Sequence, residues 1–147
     1  MATRKNSSKN ETCISVVIGG KEFDFERFPL DFRNIGQLNE SGERANSELA
    51  RMAEPLALAE REKEASKIAL EAFWEIKIQT ADGGNVDARR GWVRDNFGKD
   101  LKELEERKLD AIYNLTALKA WEKMLSADSS MVQTMSRNNE RMRMSTR

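Results

Sequence analysis

The sequence predicts a mainly α-helical protein, built as a long antiparallel helical hairpin of coiled-coil type behind a short N-terminal β-hairpin. Charged residues make up 34% of the 147 residues against 39% apolar ones, a balance typical of extended, solvated helices. From about residue 45, apolar residues recur at the spacing of one helix face. A glycine-rich segment near residues 81–85 interrupts that pattern and indicates where the chain reverses.

The N-terminal part of the chain is predicted to differ from the rest. Residues 1–11 are basic and polar, so we expect a disordered tail there. Residues 12–44 are expected to form a β-hairpin followed by an irregular linker. The β-rich run 14–18 and two alternating phenylalanines flank Gly19-Gly20, a pattern typical of a two-residue hairpin turn. The irregular linker is predicted from one proline and two glycines, which are Pro29, Gly36 and Gly42.

The helical hairpin is assigned to residues 45–128. Proline is unfavourable inside a helix, so Pro55 predicts a break just before it and a first long helix over about 55–79. The remaining residues, 129–147, form a polar tail rich in arginine and methionine. We expect the helix to extend into this tail and to fray at about residue 135.

Beyond the turn at 81–85 the helical pattern resumes. Asn85 or Asp82 is expected to cap the new helix, because a short polar side chain there accepts a hydrogen bond from a free backbone N–H group. Two glycines weaken the next stretch, each by about 1 kcal/mol relative to alanine. The sequence therefore predicts a short helix over 86–97 and a second long helix over 99–126.

The residue types present argue against catalysis. The chain has no histidine, which removes the usual general base and the commonest metal ligand. It has no phosphate-binding glycine loop and no set of residues for nucleophilic catalysis. The single cysteine, Cys13, lies in an apolar run and is expected to be a buried, unreactive thiol. We therefore expect a protein that is not an enzyme and that has no metal and no cofactor.

Neither a membrane span nor a secretion signal is predicted. No apolar run approaches the 18 or so residues of a membrane-spanning helix, and the N-terminus is polar. We expect a soluble, cytoplasmic protein without membrane contact. The 25 basic and 25 acidic residues cancel, so any contact with nucleic acid must depend on a local patch.

One local patch combines arginines with an aromatic side chain, as single-stranded nucleic acid requires for phosphate contacts and base stacking. Its members are Arg89, Arg90, Trp92, Arg94 and Lys99. A second basic strip on the first long helix consists of Lys63 and Lys67, with Lys77 further on. In the alternative interpretation, the tryptophan packs in the hairpin core and the arginines pair with acidic neighbours, namely Asp87, Asp95 or Asp100.

The apolar stripe of the second long helix is wider than one partner helix needs, so we expect self-association. The predicted oligomer interface consists of Leu101, Leu104, Ala111, Leu115, Leu118 and Leu125.

The order of elements also resembles a known family. It is carried by "ALEAFWEIKI", the turn "ADGG", the segment "VDARRGWVRD" and the helix "DLKELEERKLDAIYNLTALKAWEKML", followed by the tail "SADSSMVQTMSRNNERM". Over roughly residues 48–142 this is similar to the UvsY-type recombination mediators of bacteriophages and related small phage helical-hairpin proteins. In that family a basic pair before the aromatic pair contributes to DNA binding, and Lys63 and Lys67 are the nearest residues to it here.

The resemblance implies a ring-shaped homo-oligomer without enzymatic activity. It would bind single-stranded DNA and help to load a recombinase onto strands covered by single-strand binding protein, in the host cell cytoplasm if phage-encoded. The alternative function is a protein-binding adaptor or inhibitor without DNA binding, such as a small phage protein that acts on a host factor or in virion assembly. The fluorescence of Trp92 in the presence of single-stranded DNA distinguishes the two.

Overall fold

A computed structural model gives the structure of the protein and describes residues 13–146. Two antiparallel strands precede three helices, so the mainly α class with an N-terminal β-hairpin is confirmed. The elements are β1 (Cys13–Ile18), β2 (Lys21–Glu26), α1 (Ile35–Arg51), α2 (Ala53–Thr80) and α3 (Val86–Ser145). The disorder predicted for residues 1–11 lies outside the described residues. The described chain divides into two compact units, of which the first comprises residues 13–55 and 118–146 and the second residues 56–117.

The β-hairpin turns at Gly19-Gly20, as predicted. Both glycines have positive φ, 59° and 80°, which the tight turn between right-twisted strands requires. The pairing of Val16 with Phe23 sets the register. The alternation of a strand buries Val16 and leaves Cys13 exposed. The expectation of a buried thiol was therefore wrong, because Cys13 lies on the solvent side of β1.

The hairpin is held in the first unit by hydrogen bonds along the outer edge of β2. The Glu26 N–H group donates to Glu48 Oε2 at 2.9 Å, and Arg51 Nη2 donates to the Asp24 carbonyl oxygen at 3.0 Å. Both partners are side chains of α1. An isolated two-stranded hairpin is marginal in water, and these contacts together with the buried Phe25 stabilise this one.

Helix α1 corrects the prediction of an irregular linker, which is wrong from Ile35 onward. Asn34 caps the helix, and its Oδ1 accepts a hydrogen bond from the Gln37 N–H group at 2.8 Å. Gly42 lies inside the helix where α1 contacts α3, and a Cβ there would come within 2.7 Å of Val132 Cγ1. The glycine that suggests a break is present because the two helices approach closely at that point.

The predicted break before Pro55 is confirmed. Helix α1 ends at Arg51, and the N–H group of Met52 donates to the Leu49 carbonyl oxygen at 3.1 Å. Helix α2 begins immediately afterwards, with Pro55 in its first turn, where a missing N–H group costs nothing.

The C-terminal tail is a second correction, because α3 continues to Ser145 instead of fraying near residue 135. It continues because it packs against α1. Val132 is buried, and the Ser129 hydroxyl donates to Asn46 Oδ1 at 2.7 Å. Two turns further along, the Ser136 hydroxyl donates to Asn39 Oδ1 at 2.8 Å.

The second unit contains the helical hairpin. Its two arms run antiparallel, and an exposed ion pair joins Arg107 Nε to Glu62 Oε1 at 2.7 Å. The chain reverses between Thr80 and Val86, as predicted. Helix α3 departs from helical geometry at Phe97, with φ −128° and ψ 25°, which confirms the predicted division into a short and a long helix.

The residues of the predicted oligomer interface are mostly buried within the single chain. Five of its six residues are buried there, and Leu104 is half-buried. The buried ones are Leu101, Ala111, Leu115, Leu118 and Leu125. These five side chains belong to the core of the chain itself. Within residues 13–146, no helix combines the length and the apolar content that crossing a bilayer requires.

Candidate nucleic-acid interface

The turn of the second unit fixes the start of α3. Asn85, one of the two predicted capping residues, caps the helix. Its Oδ1 accepts a hydrogen bond from the Ala88 N–H group at 2.8 Å. Gly83 lies so close to α3 that a Cβ would be 3.1 Å from the Ala88 Cβ. Arg89 Nε donates to the Gly83 carbonyl oxygen at 3.1 Å. The turn therefore uses one of the predicted DNA-binding arginines to hold itself closed.

Four aromatic side chains lie near this turn, two on each helix. Phe73 and Trp74 of α2 contact edge to face, with ring centroids 6.1 Å apart. Trp92 and Phe97 of α3 do the same at 5.9 Å. All four are half-buried, so each leaves part of its surface open to a ligand.

Two cations join the aromatic side chains across the hairpin. The guanidinium carbon of Arg94 lies 5.9 Å from the centroid of a Trp74 ring, and Lys77 Nζ lies 4.0 Å from the Phe97 centroid. Such cation–π contacts are worth about 0.5–1 kcal/mol at exposed sites. We call the five residues Trp74, Lys77, Trp92, Arg94 and Phe97 the basic–aromatic corner.

No carboxylate of the described chain forms an ion pair with the arginines at or beside the corner, which are Arg89, Arg90 and Arg94. Arg90 and Arg94 are exposed, lie four residues apart and so share one face of α3. Across residues 13–146, no ion pair joins any arginine of residues 89–94 to an acidic residue, so the alternative pairing with Asp87, Asp95 or Asp100 is not formed. Lys99 is likewise exposed and outside the ion pairs of the described chain.

Trp92 fits neither sequence interpretation completely, because it is neither fully packed in the hairpin core nor fully exposed. It is half-buried and contacts Phe97, so part of its surface packs in the hairpin and part faces solvent. The buried core position nearby belongs to Val93, which is 0% exposed.

The strip of Lys63 and Lys67 leads along α2 toward the corner. Both side chains are exposed, and Trp74 follows Lys67 by seven residues, which places all three on the same helix face. At 1.5 Å per residue this face extends for about 16 Å. The structure thus aligns the predicted basic strip with a tryptophan of the corner.

Two residues of the corner, Trp74 and Phe97, were missed as site residues at the level of sequence. Trp74 could have been found from its seven-residue spacing to Lys67. Lys77 was noted as a continuation of the basic strip, but its contact with Phe97 could not be predicted, since it depends on the register between α2 and α3.

No other chemistry is indicated by the described residues or by known proteins. Within residues 13–146, no group of three histidine, cysteine, aspartate or glutamate residues could hold a metal ion. No protein-family model, no curated protein and no solved structure matches this chain. The functional conclusion therefore depends on the geometry of the basic–aromatic corner.

Proposed function

We propose that the protein binds single-stranded DNA through the basic–aromatic corner, Arg90 and the strip of Lys63 and Lys67. We also propose that it has no catalytic activity of its own. In a homo-oligomer it would act as a recombination mediator that assists the loading of a recombinase onto strands covered by single-strand binding protein.

The observation that carries the DNA-binding proposal is the lack of ion pairs at Arg90 and Arg94 beside half-exposed tryptophans. Five other arginines of the described chain face a carboxylate, as Arg107 faces Glu62. Arg94 instead lies over a Trp74 ring, and Arg90 has no such contact within residues 13–146. Guanidinium groups held in this way are available to phosphates, and a neighbouring indole is available to a base.

The energies favour single strands over duplex DNA. Stacking of one base on an aromatic side chain is worth about 1–3 kcal/mol, and only an unpaired strand can offer its bases. The net charge of the whole chain is +0, so one subunit has no long-range attraction for DNA. Repetition of the site in a homo-oligomer would raise the affinity by avidity.

The recombinase-loading part of the proposal is supported by the resemblance alone. The order of an aromatic pair, a glycine turn, an arginine–tryptophan segment and a long helix motivates it. It is tested separately, by the rate of strand exchange in the presence of single-strand binding protein with and without this protein.

Fluorescence titration with oligo-dT tests the DNA-binding part. We expect quenching of tryptophan emission, and we expect Trp92→Phe to lose part of it. Arg90→Glu with Arg94→Glu should lower the affinity by tenfold or more, since each lost charge-assisted contact contributes about 1.5 kcal/mol or more. Lys102→Glu with Lys123→Glu makes the same charge change at exposed positions away from the corner and is the matched control.

Equal losses in the two variants would mean that only total charge matters, and the proposed site would be wrong. Unchanged emission and no binding by the intact protein would contradict the proposal as a whole.

A second candidate function is a protein-binding adaptor or inhibitor. It is favoured by an exposed apolar group on α3, in which Leu109 is 63%, Ile112 37% and Tyr113 57% exposed. Apolar side chains grouped on one helix face are typical of protein contact sites. Under this function the protein binds a protein partner and leaves oligo-dT unbound.

A further inference from the structure

Helix α2 carries a second exposed stripe, which is apolar and distinct from its basic strip. Its members follow one another by three or four residues and so lie on one face, and they are Ala65, Ile68, Ala72 and Ile76. Ile68 is 55% exposed and Ile76 is 61% exposed. We call these four residues the α2 stripe. Two exposed isoleucines on one helix face are costly in water unless something covers them.

The α2 stripe has an acidic edge. Three exposed glutamates lie one turn from its members, and they are Glu64, Glu71 and Glu75. None of them takes part in an ion pair of the described chain. A partner for this face therefore needs an apolar stripe accompanied by positive charge. The antiparallel α2 of another copy would bring two acidic edges together and does not fit.

The C-terminal part of α3 has the required properties. Met131, Met135 and Met142 are spaced by four and seven residues and share one face of the helix. Met131 is 51% exposed and Met142 is 68% exposed. We call these three residues the α3 stripe. Residues 131–146 carry three arginines and one glutamate, and the arginines are exposed.

The two stripes also agree in length. Ala65 and Ile76 are 11 positions apart, as are Met131 and Met142. At 1.5 Å per residue each stripe extends for about 16 Å. Methionine is unbranched and flexible, so it can fit the uneven surface made by alternating alanines and isoleucines.

We infer that the α3 stripe of one copy of this chain docks on the α2 stripe of a second copy. The methionines cover the isoleucines, and the arginines beside them face the acidic edge. The two surfaces are different, so the contact is head-to-tail, and repetition gives a closed ring or a filament.

This interface replaces the one predicted from the sequence. Its side chains are exposed in the single chain except for the half-buried Met135, whereas five of the six residues predicted earlier belong to the core. It shares with the proposed function the expectation of a homo-oligomer but none of the DNA-binding residues. The docking and the DNA binding can therefore fail separately.

Charge swaps on the full-length protein test the inference. The α2 swap is Glu71→Arg with Glu75→Arg, and the α3 swap is Arg137→Glu with Arg141→Glu. Each variant alone sets like charges against each other in every contact, so the concentration for assembly should rise by about tenfold or more. A variant that carries both swaps in one chain restores opposite charges at every contact, whatever the number of copies, and should assemble as the unchanged protein does.

Sedimentation velocity gives the mass of each sample, and circular dichroism with thermal melting shows that each variant is folded. The matched control is Glu43→Arg with Glu103→Arg, which makes the charge change of the α2 swap at exposed positions outside both stripes. It should assemble normally. A monomeric unchanged protein, single-swap variants that assemble normally, or a variant with both swaps that stays monomeric would each overturn the inference.

Discussion

Replacement of Gly42 by alanine tests the contact between α1 and α3, where the sequence prediction failed. The new Cβ would lie 2.7 Å from Val132 Cγ1 and 3.2 Å from Val132 Cβ. Valine is stiff at χ1, so its methyl group cannot rotate away at low cost. Overpacking of this kind costs about 1–3 kcal/mol, while alanine in a helix interior gains about 1 kcal/mol over glycine. We therefore expect a net loss of up to about 2 kcal/mol in the free energy of unfolding.

The matched control is Gly36→Ala in the same helix. There a Cβ meets only Asn34 Oδ1, at 3.4 Å, so the variant should be neutral or gain up to about 1 kcal/mol. Urea denaturation followed by circular dichroism measures both. A second test adds Val132→Ala to Gly42→Ala, and the double variant should be more stable than the sum of the single effects predicts.

The result that refutes the reasoning is a Gly42→Ala variant at least as stable as Gly36→Ala. It would mean that α1 and α3 do not approach closely at Gly42, and that the glycine has no packing role.

Three further outcomes follow from the structure. Asp128→Asn removes the bidentate partner of Arg27, whose Nε and Nη2 lie 2.9 and 3.0 Å from the carboxylate, and should lower the free energy of unfolding. We expect about 1–3 kcal/mol in urea denaturation, because Asp128 is buried while solvent screens Arg27. Leu118→Ala should cost about 2–5 kcal/mol in the same assay, since Leu118 is 0% exposed. Hydrogen bonds from the Arg33 side chain and backbone N–H group lower the pKa of Asp31 from 3.8 to about 2. The contribution of Asp31 to the free energy of unfolding is therefore present above pH 3.8 and is lost as the pH falls through 2. Carbon NMR titration should show that Arg33→Gln raises this pKa toward its ordinary value.

Local signals in the sequence predicted much of the fold. Gly19-Gly20 requires positive φ, Pro55 requires a helix start, and Asn85 supplies a cap, so each of these features depends only on its neighbours in the chain. The break at Phe97 followed in the same way from the two glycines on either side of it, Gly91 and Gly98.

The features that the sequence did not predict depend on contacts between distant segments. Gly42 suggests a helix break in the sequence, but in the structure it allows α1 to pack closely against Val132. The tail from Ser129 onward is polar in sequence, but its serines form hydrogen bonds with α1. The regular spacing of apolar residues shows that a helix face is buried, but it does not show which segment or partner covers that face. For that reason Leu118 was assigned to an oligomer interface although it belongs to the core of its own chain.

The same distinction between local signals and contacts of distant segments applies to the candidate site. Arg90, Trp92 and Arg94 were found because they are close in sequence. The contact of Lys77 with Phe97 was missed because it arises only when α2 and α3 pair in register.

The measurement that tests the central claim most directly is the salt dependence of oligo-dT binding. Each neutralised phosphate of a single strand contributes about −0.7 to the slope of log K against log salt concentration. With Lys63, Lys67, Arg90 and Arg94 as phosphate contacts, the slope should be about −3 per bound subunit. Replacement of both arginines by alanine should reduce its magnitude by about 1.4. Binding that is absent, or whose slope is near zero or unchanged in this variant, would contradict the account.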